Sequence, residues 1–345
     1  MKLTVVVPGS LETPTGGYRY DRQVVVGLRA AGHGVTVLTL GESYPQPDAA
    51  TLQASYRALS RLSGPVVIDG LALGAMPDIA DHLPAHAPLI ALVHHPLALE
   101  SGLDPALAEK LRQSEREALA HARHVIVTSP PTGKILAADY GVPRERISVA
   151  LPGVGEAPLA QGSGGQTIQL LSVGSVIARK GHDLLIEALA PLADLPWRLT
   201  IVGDATRDET AAQTLRTVIN KSQLQDRVTL TGALSEEDLA RCYHAADLFV
   251  LASHYEGYGM VFSEALAHGL PIVATAVGEA ATLLPQTAGK LVAPGDTKGL
   301  SEALRGFIMD GDRRAAARRG AQAARDRLPR WADCVTVFEK VLRSV

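Results

Sequence analysis

Two glutamates bracket a glycine-rich stretch in the second half of the sequence. Glu256 and Glu264 lie in "SHYEGYGMVFSEALAHGLP" (253–271), between apolar runs that predict strands. If both acids were on one helix, their spacing would give a rise of about 12 Å. That exceeds the roughly 5–5.5 Å of a retaining glycosidase and the roughly 6.5–9.5 Å of an inverting one. Because Glu256 is predicted in the loop before the helix, this weakens a glycosidase pair without excluding it.

Two other interpretations of these acids remain. In the plainer one, Glu264 complements the helix dipole and Glu256 lies in a solvated loop. In the one we favour, each carboxylate accepts hydrogen bonds from a different part of one polyhydroxylated ligand. A sugar nucleotide presents sugar hydroxyls, a diphosphate, ribose hydroxyls and a base in that order. Glu256 would then meet the sugar, the "GYGM" loop the diphosphate, and Glu264 the ribose.

Two segments of the second half have the chemistry to bind phosphate. Arg179 and Lys180 lie between a predicted strand and a predicted helix in "LLSVGSVIARKGHDLLIEAL", where a guanidinium and an ammonium suit a phosphate group. "GYGM" frees the backbone where helix 260–268 begins, so that amide groups can point at an anion. The alternative is a solvated loop with surface cations. Neither a Walker pattern nor G-x-G-x-x-G is present, which disfavours P-loop ATPases and dinucleotide-dependent dehydrogenases.

The first half offers a second set of candidates. "PTGGYRYDRQ" (14–23) follows the first predicted strand, and Gly16 and Gly17 would let the backbone approach a ligand closely; a plain tight turn is the alternative. The neighbouring side chains that could face an acceptor are Tyr18, Arg19 and Tyr20. "ALVHHPLALE" ends another strand with His94 and His95, and a strand-end histidine is often structural. Glu100 is the weaker candidate and is expected to be solvated.

These residues follow strands that alternate with helices. The first half predicts strands at 3–9, 34–40, 65–70, 88–95, 124–129 and 147–153, with helices at 18–31 and 104–122. The second predicts strands in "TIQLLSVGS", "WRLTIVGD", "RVTLTG", "DLFVLAS", "PIVATA" and "GKLVAP", with helices near 182–192, 209–222, 235–246, 260–268 and 297–310. The runs are β-branched and largely unalternating, as expected for parallel strands buried on both faces.

The prediction is therefore an α/β protein with two Rossmann-like, doubly wound domains facing each other across a cleft. We place the first domain at 1–155, a glycine-rich linker and hinge at 156–166, and the second domain at 167–329. Ser235 and Asp238 resemble a capping box that opens helix 235–246. The closing amphipathic helix, 330–345, is expected to pack back on the first domain.

Composition and charge narrow the function classes. A net charge of -3 and a pI near 6.4 argue against nucleic-acid binding. Cys242 and Cys334 are too few for a disulfide scaffold or metal cluster. Without a signal-peptide pattern or a membrane span, a cytoplasmic protein is expected. The C-terminal region is rich in arginine, usually a solvated face, with peripheral attachment to the inner membrane surface as the alternative; these residues are Arg313, Arg314, Arg318, Arg319, Arg325, Arg327 and Arg330.

The ordered motifs of the second half resemble those of one enzyme family. "EGYGMVFSE" resembles the E-x7-E signature of family 4 retaining glycosyltransferases, which have the GT-B architecture. The order "VGS…RKGHD", "IVGD", "RVTLTG", "EALAHGLPIVAT" and "GKLVAPGD" also matches. A lone E-x7-E would be a weak signal, whereas this ordered set is specific and covers the second domain in register. The resemblance extends more loosely over the whole chain.

The resemblance implies roles at the matching positions. Arg179 and Lys180 would hold the donor diphosphate, Glu264 the ribose, and Glu256 the transferred sugar. Main-chain amides near Met260 and Val261 would meet the distal phosphate, and Gly16 and Gly17 would approach the donor. The other donor-binding residues of the loop on the diphosphate would be Gly257, Tyr258 and Gly259. His94 would be the catalytic-region histidine, with His95 as the weaker match. One departure is that Gly174 is followed by Ser175 where many members have arginine, which leaves the number of cations on the diphosphate open.

The implied reaction moves a hexose from a nucleoside diphosphate sugar to an acceptor hydroxyl, in glycolipid or glycoconjugate synthesis. The cations and the helix N-terminus would replace a divalent metal, so no metal or cofactor is expected; the donor would be a UDP- or GDP-sugar, with UDP favoured. The partners would be this donor and a carbohydrate or lipid acceptor. Closure of the domains would exclude water. The remaining alternatives are a nucleotide-sugar epimerase of the same architecture, a glycosidase and a non-catalytic sugar-nucleotide binder.

Overall fold

The computed structural model describes residues 1–41, 43–100 and 102–345. The chain forms two compact units, which confirms the predicted α/β class with two parallel sheets. The first unit contains Met1–Gly153 together with Pro329–Val345, and the second contains Val154–Leu328. The chain therefore leaves the first unit, builds the second, and returns.

The first unit is built on a six-stranded parallel sheet with the order β2-β1-β3-β4-β5-β6. Its strands are β1 (Lys2–Val7), β2 (Gly34–Thr39), β3 (Val66–Asp69), β4 (Leu89–Val93), β5 (His124–Val127) and β6 (Ile147–Val149). Every residue of β4 is buried, as expected for a strand covered on both faces. The predicted strands extend two to four residues too far at several C-terminal ends. His94 and His95, for example, lie just beyond β4, where the chain leaves the ladder.

In the described part of the first unit, five α-helices precede the crossing to the second unit. They are α1 (Gly16–Ala30), α2 (Ala49–Leu59), α3 (Gly70–Leu73), α4 (Pro105–Ala120) and α5 (Pro130–Asp139). The predicted start of α4 is confirmed, because Asp104 Oδ1 accepts hydrogen bonds from the amides of Ala106 and Leu107 at 2.9 and 3.1 Å. Helices α2 and α5 were not predicted from the sequence.

The second unit repeats this plan, with a six-stranded parallel sheet in the order β12-β11-β10-β7-β8-β9. Its strands are β7 (Ile168–Val173), β8 (Trp197–Val202), β9 (Val228–Leu230), β10 (Leu248–Leu251), β11 (Ile272–Thr275) and β12 (Gly289–Val292). β7 and β10 are neighbours in the sheet, paired at Leu171 and Phe249. The loops that follow these two strands therefore leave the same edge of the sheet side by side.

Seven helices cover this sheet. They are α6 (His182–Leu189), α7 (Glu209–Lys221), α8 (Glu236–Ala245), α9 (Met260–Ala267), α10 (Ala280–Leu283), α11 (Thr297–Met309) and α12 (Gly311–Ala324). The predicted cap of α8 is confirmed, since Ser235 Oγ accepts from the Asp238 amide at 3.1 Å. The Ser235 hydroxyl in turn donates a hydrogen bond to Asp238 Oδ2 at 2.7 Å. No helix in the described ranges is both long and apolar enough to cross a membrane.

The predicted linker at 156–166 lies within the second unit. Its backbone is bonded there: the amide of Ala160 donates to the carbonyl of His268 at 2.8 Å, and that of Gln161 to the carbonyl of His244 at 2.9 Å. The Ser163 amide donates to Asp247 Oδ1 at 3.1 Å. The segment is thus anchored to the second unit, and its role as a hinge stays a prediction.

The final helix, α13 (Trp331–Ser344), packs on α1 in the first unit. A Cβ atom added to Gly27 of α1 would lie 2.3 Å from Val335 Cγ2, so the absence of a side chain there permits the close approach. Tyr20 of α1 makes an edge contact with Trp331 at a centroid distance of 5.6 Å. The Cys334 thiol donates to the Tyr20 hydroxyl at 3.2 Å.

Candidate functional site

The loop that follows β7 presents the two predicted phosphate-binding cations. Arg179 and Lys180 end a short 3-10 turn, Ala178–Lys180, and Gly181 then starts α6. Gly181 has a φ of 60°, and a Cβ atom there would lie 2.2 Å from the carbonyl oxygen of Ala252. Glycine is therefore required both for the left-handed backbone and for the close approach of the loop after β10. This approach brings the cations next to the segment that contains Glu256.

Glu256 joins the two cations in one buried cluster. Its Oε1 atom accepts from Lys180 Nζ at 2.6 Å and from the Ser253 hydroxyl at 2.8 Å, and its Oε2 atom accepts from Arg179 Nη1 at 3.2 Å. Burial disfavours the charged carboxylate, but Lys180 and Arg179 outweigh that cost and lower the pKa of Glu256 to about 2. Two cations and one carboxylate leave a net positive charge of one. The plainer expectation of a solvated Glu256 is wrong, because the residue is 5% exposed.

The N-terminus of α9 lies four residues beyond Glu256. Gly259, the N-cap, has a φ of 87°, and no side chain caps the helix. The Phe262 amide donates to the Gly259 carbonyl at 2.9 Å, whereas Met260 and Val261 supply the first two amides of the helix. A helix start without a capping side chain is a suitable place for an anion.

Tyr258 is oriented away from this helix start. It is 4% exposed and its hydroxyl lies 3.0 Å from the Ser263 hydroxyl in the interior, so its side chain is not available to a ligand. Its carbonyl accepts from the Glu279 amide at 3.2 Å. Gly257 is partly exposed beside it. The loop 257–261 therefore offers main-chain groups, and their contact with the donor diphosphate stays a prediction.

Glu264 lies one turn into α9 and is half-buried. Its Oε2 atom accepts a hydrogen bond from the Tyr243 hydroxyl at 2.9 Å. Tyr243 is itself stacked on the His268 ring at a centroid distance of 4.9 Å. The Glu264 carboxylate is thus held by a side chain of α8, and Glu264 lies one helical turn after the first amides of α9. The sequence analysis did not identify Tyr243.

Gly174 packs against the side chain of Lys180. A Cβ atom on Gly174 would lie 3.1 Å from Lys180 Cε, so the aliphatic stem of the lysine packs directly on the glycine. The Gly174 carbonyl lies 3.2 Å from His182 Nε2. Burial lowers the pKa of His182 to about 4, so the neutral ring donates this hydrogen bond. Ser175, which follows Gly174, is partly exposed. His182 was not predicted as a site residue, because only Arg179 and Lys180 of the "RKGHD" motif were considered.

In the first unit, the glycine pair opens α1. Gly16 and Gly17 are its first residues, and Thr15 Oγ1 caps the Tyr18 amide at 3.4 Å. A Cβ atom on Gly17 would lie 3.6 Å from His94 Cδ2, so two separately predicted residues are in contact. The expectation that Tyr20 faces an acceptor is wrong. It is 1% exposed, and its hydroxyl donates to the Ala150 carbonyl at 2.9 Å.

His94 lies against two buried carboxylates that the sequence analysis missed. Its Nε2 atom is 3.0 Å from Asp21 Oδ1 and 3.2 Å from Asp69 Oδ2. One oxygen or nitrogen atom from each of the three side chains lies within 4.8 Å of the other two, which is close enough to share a cation. A proton on Nε2 also satisfies the observed contacts. His95 pairs with Glu100 at 3.2 Å, and 36% of the Glu100 side chain is exposed, so Glu100 is partly solvated as expected.

Several C-terminal arginines bind within the protein rather than forming one free basic face. Arg314 Nη1 caps the end of α11 by donating to the carbonyls of Phe307 and Ile308 at 2.6 and 2.8 Å. Arg318 pairs with Asp247 at 3.7 Å, and Arg325 donates to the Ala157 carbonyl at 2.6 Å. These contacts explain the arginines by the internal structure of the second unit. Arg313, Arg319, Arg327 and Arg330 are exposed, and attachment to a membrane surface stays a prediction.

Comparison with known proteins is consistent with this geometry. The family model "Glycosyltransferase Family 4" matches residues 15–156, and "Glycosyl transferases group 1" matches residues 158–324. A D-inositol 3-phosphate glycosyltransferase from Xylanimonas cellulosilytica is 30% identical over 227 residues, which cover 61% of this chain and 54% of the relative. The chain thus spans about half the length of the curated relatives it matches.

Solved structures extend the likeness to the whole chain at the level of the fold. Sucrose-phosphate synthase from Thermosynechococcus elongatus superposes with a TM-score of 0.84 at 22% identity, covering 100% of this chain and 98% of that one. Anabaena HepE in complex with UDP-glucose gives a TM-score of 0.81 at 19% identity, covering 99% and 100%. These neighbours have the GT-B fold. Because the two family models match successive halves of the sequence, the chain belongs to the family 4 glycosyltransferases, and its second half matches the group 1 model.

Proposed function

We propose that the protein is a retaining glycosyltransferase that moves a hexose from a nucleoside diphosphate sugar to an acceptor hydroxyl. The observation that supports this best is the cluster of Arg179, Lys180 and Glu256 next to the uncapped start of α9. Cations and main-chain amides at one sheet edge match a diphosphate, and a carboxylate among them matches sugar hydroxyls. The retaining outcome rests on family membership alone.

In the proposed reaction, the bond between the anomeric carbon and the diphosphate oxygen breaks, and a bond from that carbon to the acceptor oxygen forms. Negative charge develops on the departing diphosphate oxygen as its bond to carbon breaks, and that oxygen takes the proton released by the acceptor hydroxyl. Arg179, Lys180 and the amides of Met260 and Val261 are preorganised positive charge for this leaving group. Because that charge is supplied by the chain, we propose that transfer needs no divalent metal.

Glu256 and Glu264 divide the donor between them in this proposal. Glu256 would accept hydrogen bonds from the transferred sugar, while Glu264 would accept them from the ribose. UDP is the nucleotide we favour, with GDP second, and the UDP-glucose complex of the HepE structure supports that order. The acceptor is proposed to be a carbohydrate or a lipid carrying one. Phosphorylated polyols should be tested first, because sucrose-phosphate synthase and the inositol 3-phosphate enzyme are similar to this chain.

The test begins with thermal shift of the purified protein against UDP- and GDP-sugars. The donor that stabilises the protein is then incubated with an acceptor panel in the presence of EDTA, while nucleoside diphosphate release and the anomeric configuration of the product are measured. Acceptor-dependent release with retained configuration is expected. Glu256→Gln should lower the rate of this release by about 100-fold or more, whereas Glu187→Gln, on an exposed residue of α6, should not change it.

Other outcomes favour the alternatives. An epimer formed without acceptor would indicate an epimerase, and glycoside cleavage without any nucleotide would indicate a glycosidase. Tight donor binding with no product from any acceptor would indicate a non-catalytic binder. Loss of transfer on adding EDTA would contradict the metal-free mechanism while leaving the transferase intact.

A further inference from the structure

The cluster around His94 combines three elements at one edge of the first sheet. Asp69 is the last residue of β3 and pairs in register with Leu92 of β4, so His94 follows at the same edge, two residues further on. Asp21 comes from the second turn of α1, which begins beside this edge. The two carboxylates therefore approach one imidazole nitrogen from different elements.

The histidine is held on several sides. Gly17 lies against its Cδ2 edge, and Tyr20 makes a T-shaped contact at a centroid distance of 5.2 Å. Tyr20 is fixed in turn by its bonds to the Ala150 carbonyl and Cys334. The Thr128 hydroxyl donates to the His94 carbonyl at 3.2 Å. Both the ring and the backbone of His94 are thereby restrained.

We propose that Asp21 and Asp69 are positioning residues that keep His94 in its charged form, with Nε2–H shared between their carboxylates, so that the ring offers a ligand a charged Nδ1–H rather than a basic nitrogen. In the proposed transfer reaction, His94 then acts as a hydrogen-bond donor and a local positive charge. The reaction role rests on the proposed function; the protonation state does not.

The electrostatics of the surrounding groups agree with this geometry. Desolvation opposes charge on His94, but Asp21 and Asp69 outweigh it and raise its pKa to about 10. Burial raises the pKa of Asp21 to about 7, while the hydrogen bond from His94 holds the pKa of Asp69 below its usual range. Other titratable groups nearby are Tyr20 of α1, Cys334 of α13 behind it, and the His95–Glu100 pair on the same loop.

A purely structural cluster would hold the same residues together, so the test measures protonation directly. Histidines labelled with 13C at Cε1 are titrated by NMR from pH 5 to 9.5, and the His94 signal is identified by its loss in His94→Gln. We expect the His94 signal to stay in the protonated position up to about pH 9. In Asp21→Asn and in Asp69→Asn it should titrate at least one pH unit lower than in the wild type. Asp139→Asn, at an exposed site on α5, is the matched control and should leave it unchanged.

The second readout is the pH profile of transfer. Asp69→Asn should lower the rate by about tenfold or more at pH 8, with a smaller loss at pH 6, because the ring loses its charge first at high pH. Circular dichroism confirms that each variant is folded; where one aspartate variant unfolds, the other and the wild-type titration still decide.

A wild-type His94 that titrates near pH 6.5, or one whose titration is unchanged in both aspartate variants, would overturn the proposal. So would a stoichiometric metal ion in the purified protein that is lost in both variants. If His94 stays charged but no donor and acceptor give product, the positioning proposal stands and the proposed function fails.

Discussion

Lys180 Nζ lies 2.6 Å from Glu256 Oε1, so one cation proposed for the donor diphosphate is neutralised by the carboxylate proposed for the sugar. Arg179 pairs with the other oxygen of the same carboxylate at 3.2 Å. A donor that binds here has to compete with Glu256 for both cations. The consequence is that catalysis and nucleotide affinity should respond in opposite directions when this carboxylate is neutralised.

Glu256→Gln should therefore lower the transfer rate by about 100-fold or more while the affinity for UDP is kept or rises several-fold. The rate falls because the sugar loses its acceptor of hydrogen bonds, and affinity is kept because the cations are no longer held by a carboxylate. Initial rates and isothermal titration calorimetry with UDP measure the two effects. A parallel loss of rate and UDP affinity would contradict the assignment.

Glu264→Gln should weaken UDP binding by about tenfold, because a ribose hydroxyl loses a charged partner. Inorganic pyrophosphate has no ribose, so its affinity should change little in the same variant. Tyr243→Phe, which removes only the group that holds Glu264, should give a smaller loss. Competition titrations against a labelled nucleotide supply all three values. Equal weakening of UDP and pyrophosphate would show that Glu264 does not read the ribose.

The second unit should lose stability as the pH falls from about 6.5 towards 4. Burial lowers the pKa of His182 to about 4, so the unfolded chain binds a proton that the folded chain excludes across this window. His182→Gln keeps a donor for the Gly174 carbonyl and removes the titration. Urea unfolding at pH 7 and pH 4.5 should show a smaller pH-dependent loss in the variant. A slope identical to that of the wild type would contradict the neutral assignment.

The contact between α1 and α13 should be sensitive to a single methyl group. Gly27→Ala places a Cβ atom against Val335 and should cost about 1–3 kcal/mol in the free energy of unfolding. Adding Val335→Ala should recover part of that loss, so that the two changes are not additive. Gly155→Ala, where a Cβ atom meets nothing within 4 Å, is the control. Additive losses would show that the two helices do not meet at this point.

Much of the fold was predictable because its signals are local. Unalternating β-branched runs marked every strand of both sheets, and Asp104 and Ser235 marked the starts of their helices. The same applies to Glu256, Arg179 and Lys180, whose positions after strands follow from the α/β pattern. Strand ends were placed too late because the residues that follow a strand, such as Pro8, His94 and Ser129, were counted with its apolar run, although they lie beyond the hydrogen-bonded ladder.

The surroundings of His94 and Glu256 were not predictable, because they depend on residues distant in sequence. Asp21 lies in a helix and Asp69 at a strand end, and each by itself resembles an ordinary surface acid. Only the strand order, which puts β3 beside β4, brings them to His94. The burial of Glu256 likewise depends on Gly181 letting two loops meet, a contact that residue spacing along the chain does not reveal.

The placement of α13 has a consequence for how the protein is made. Synthesis runs from the N-terminus, so α1 leaves the ribosome about 300 residues before the helix that covers it. Through all of that time the surface around Tyr20 and Gly27 lacks its natural cover, while the whole second unit is translated. The first unit is therefore completed only after α13 has been made. A chain truncated after residue 328 should therefore hold a protease-resistant second unit beside an incomplete first one.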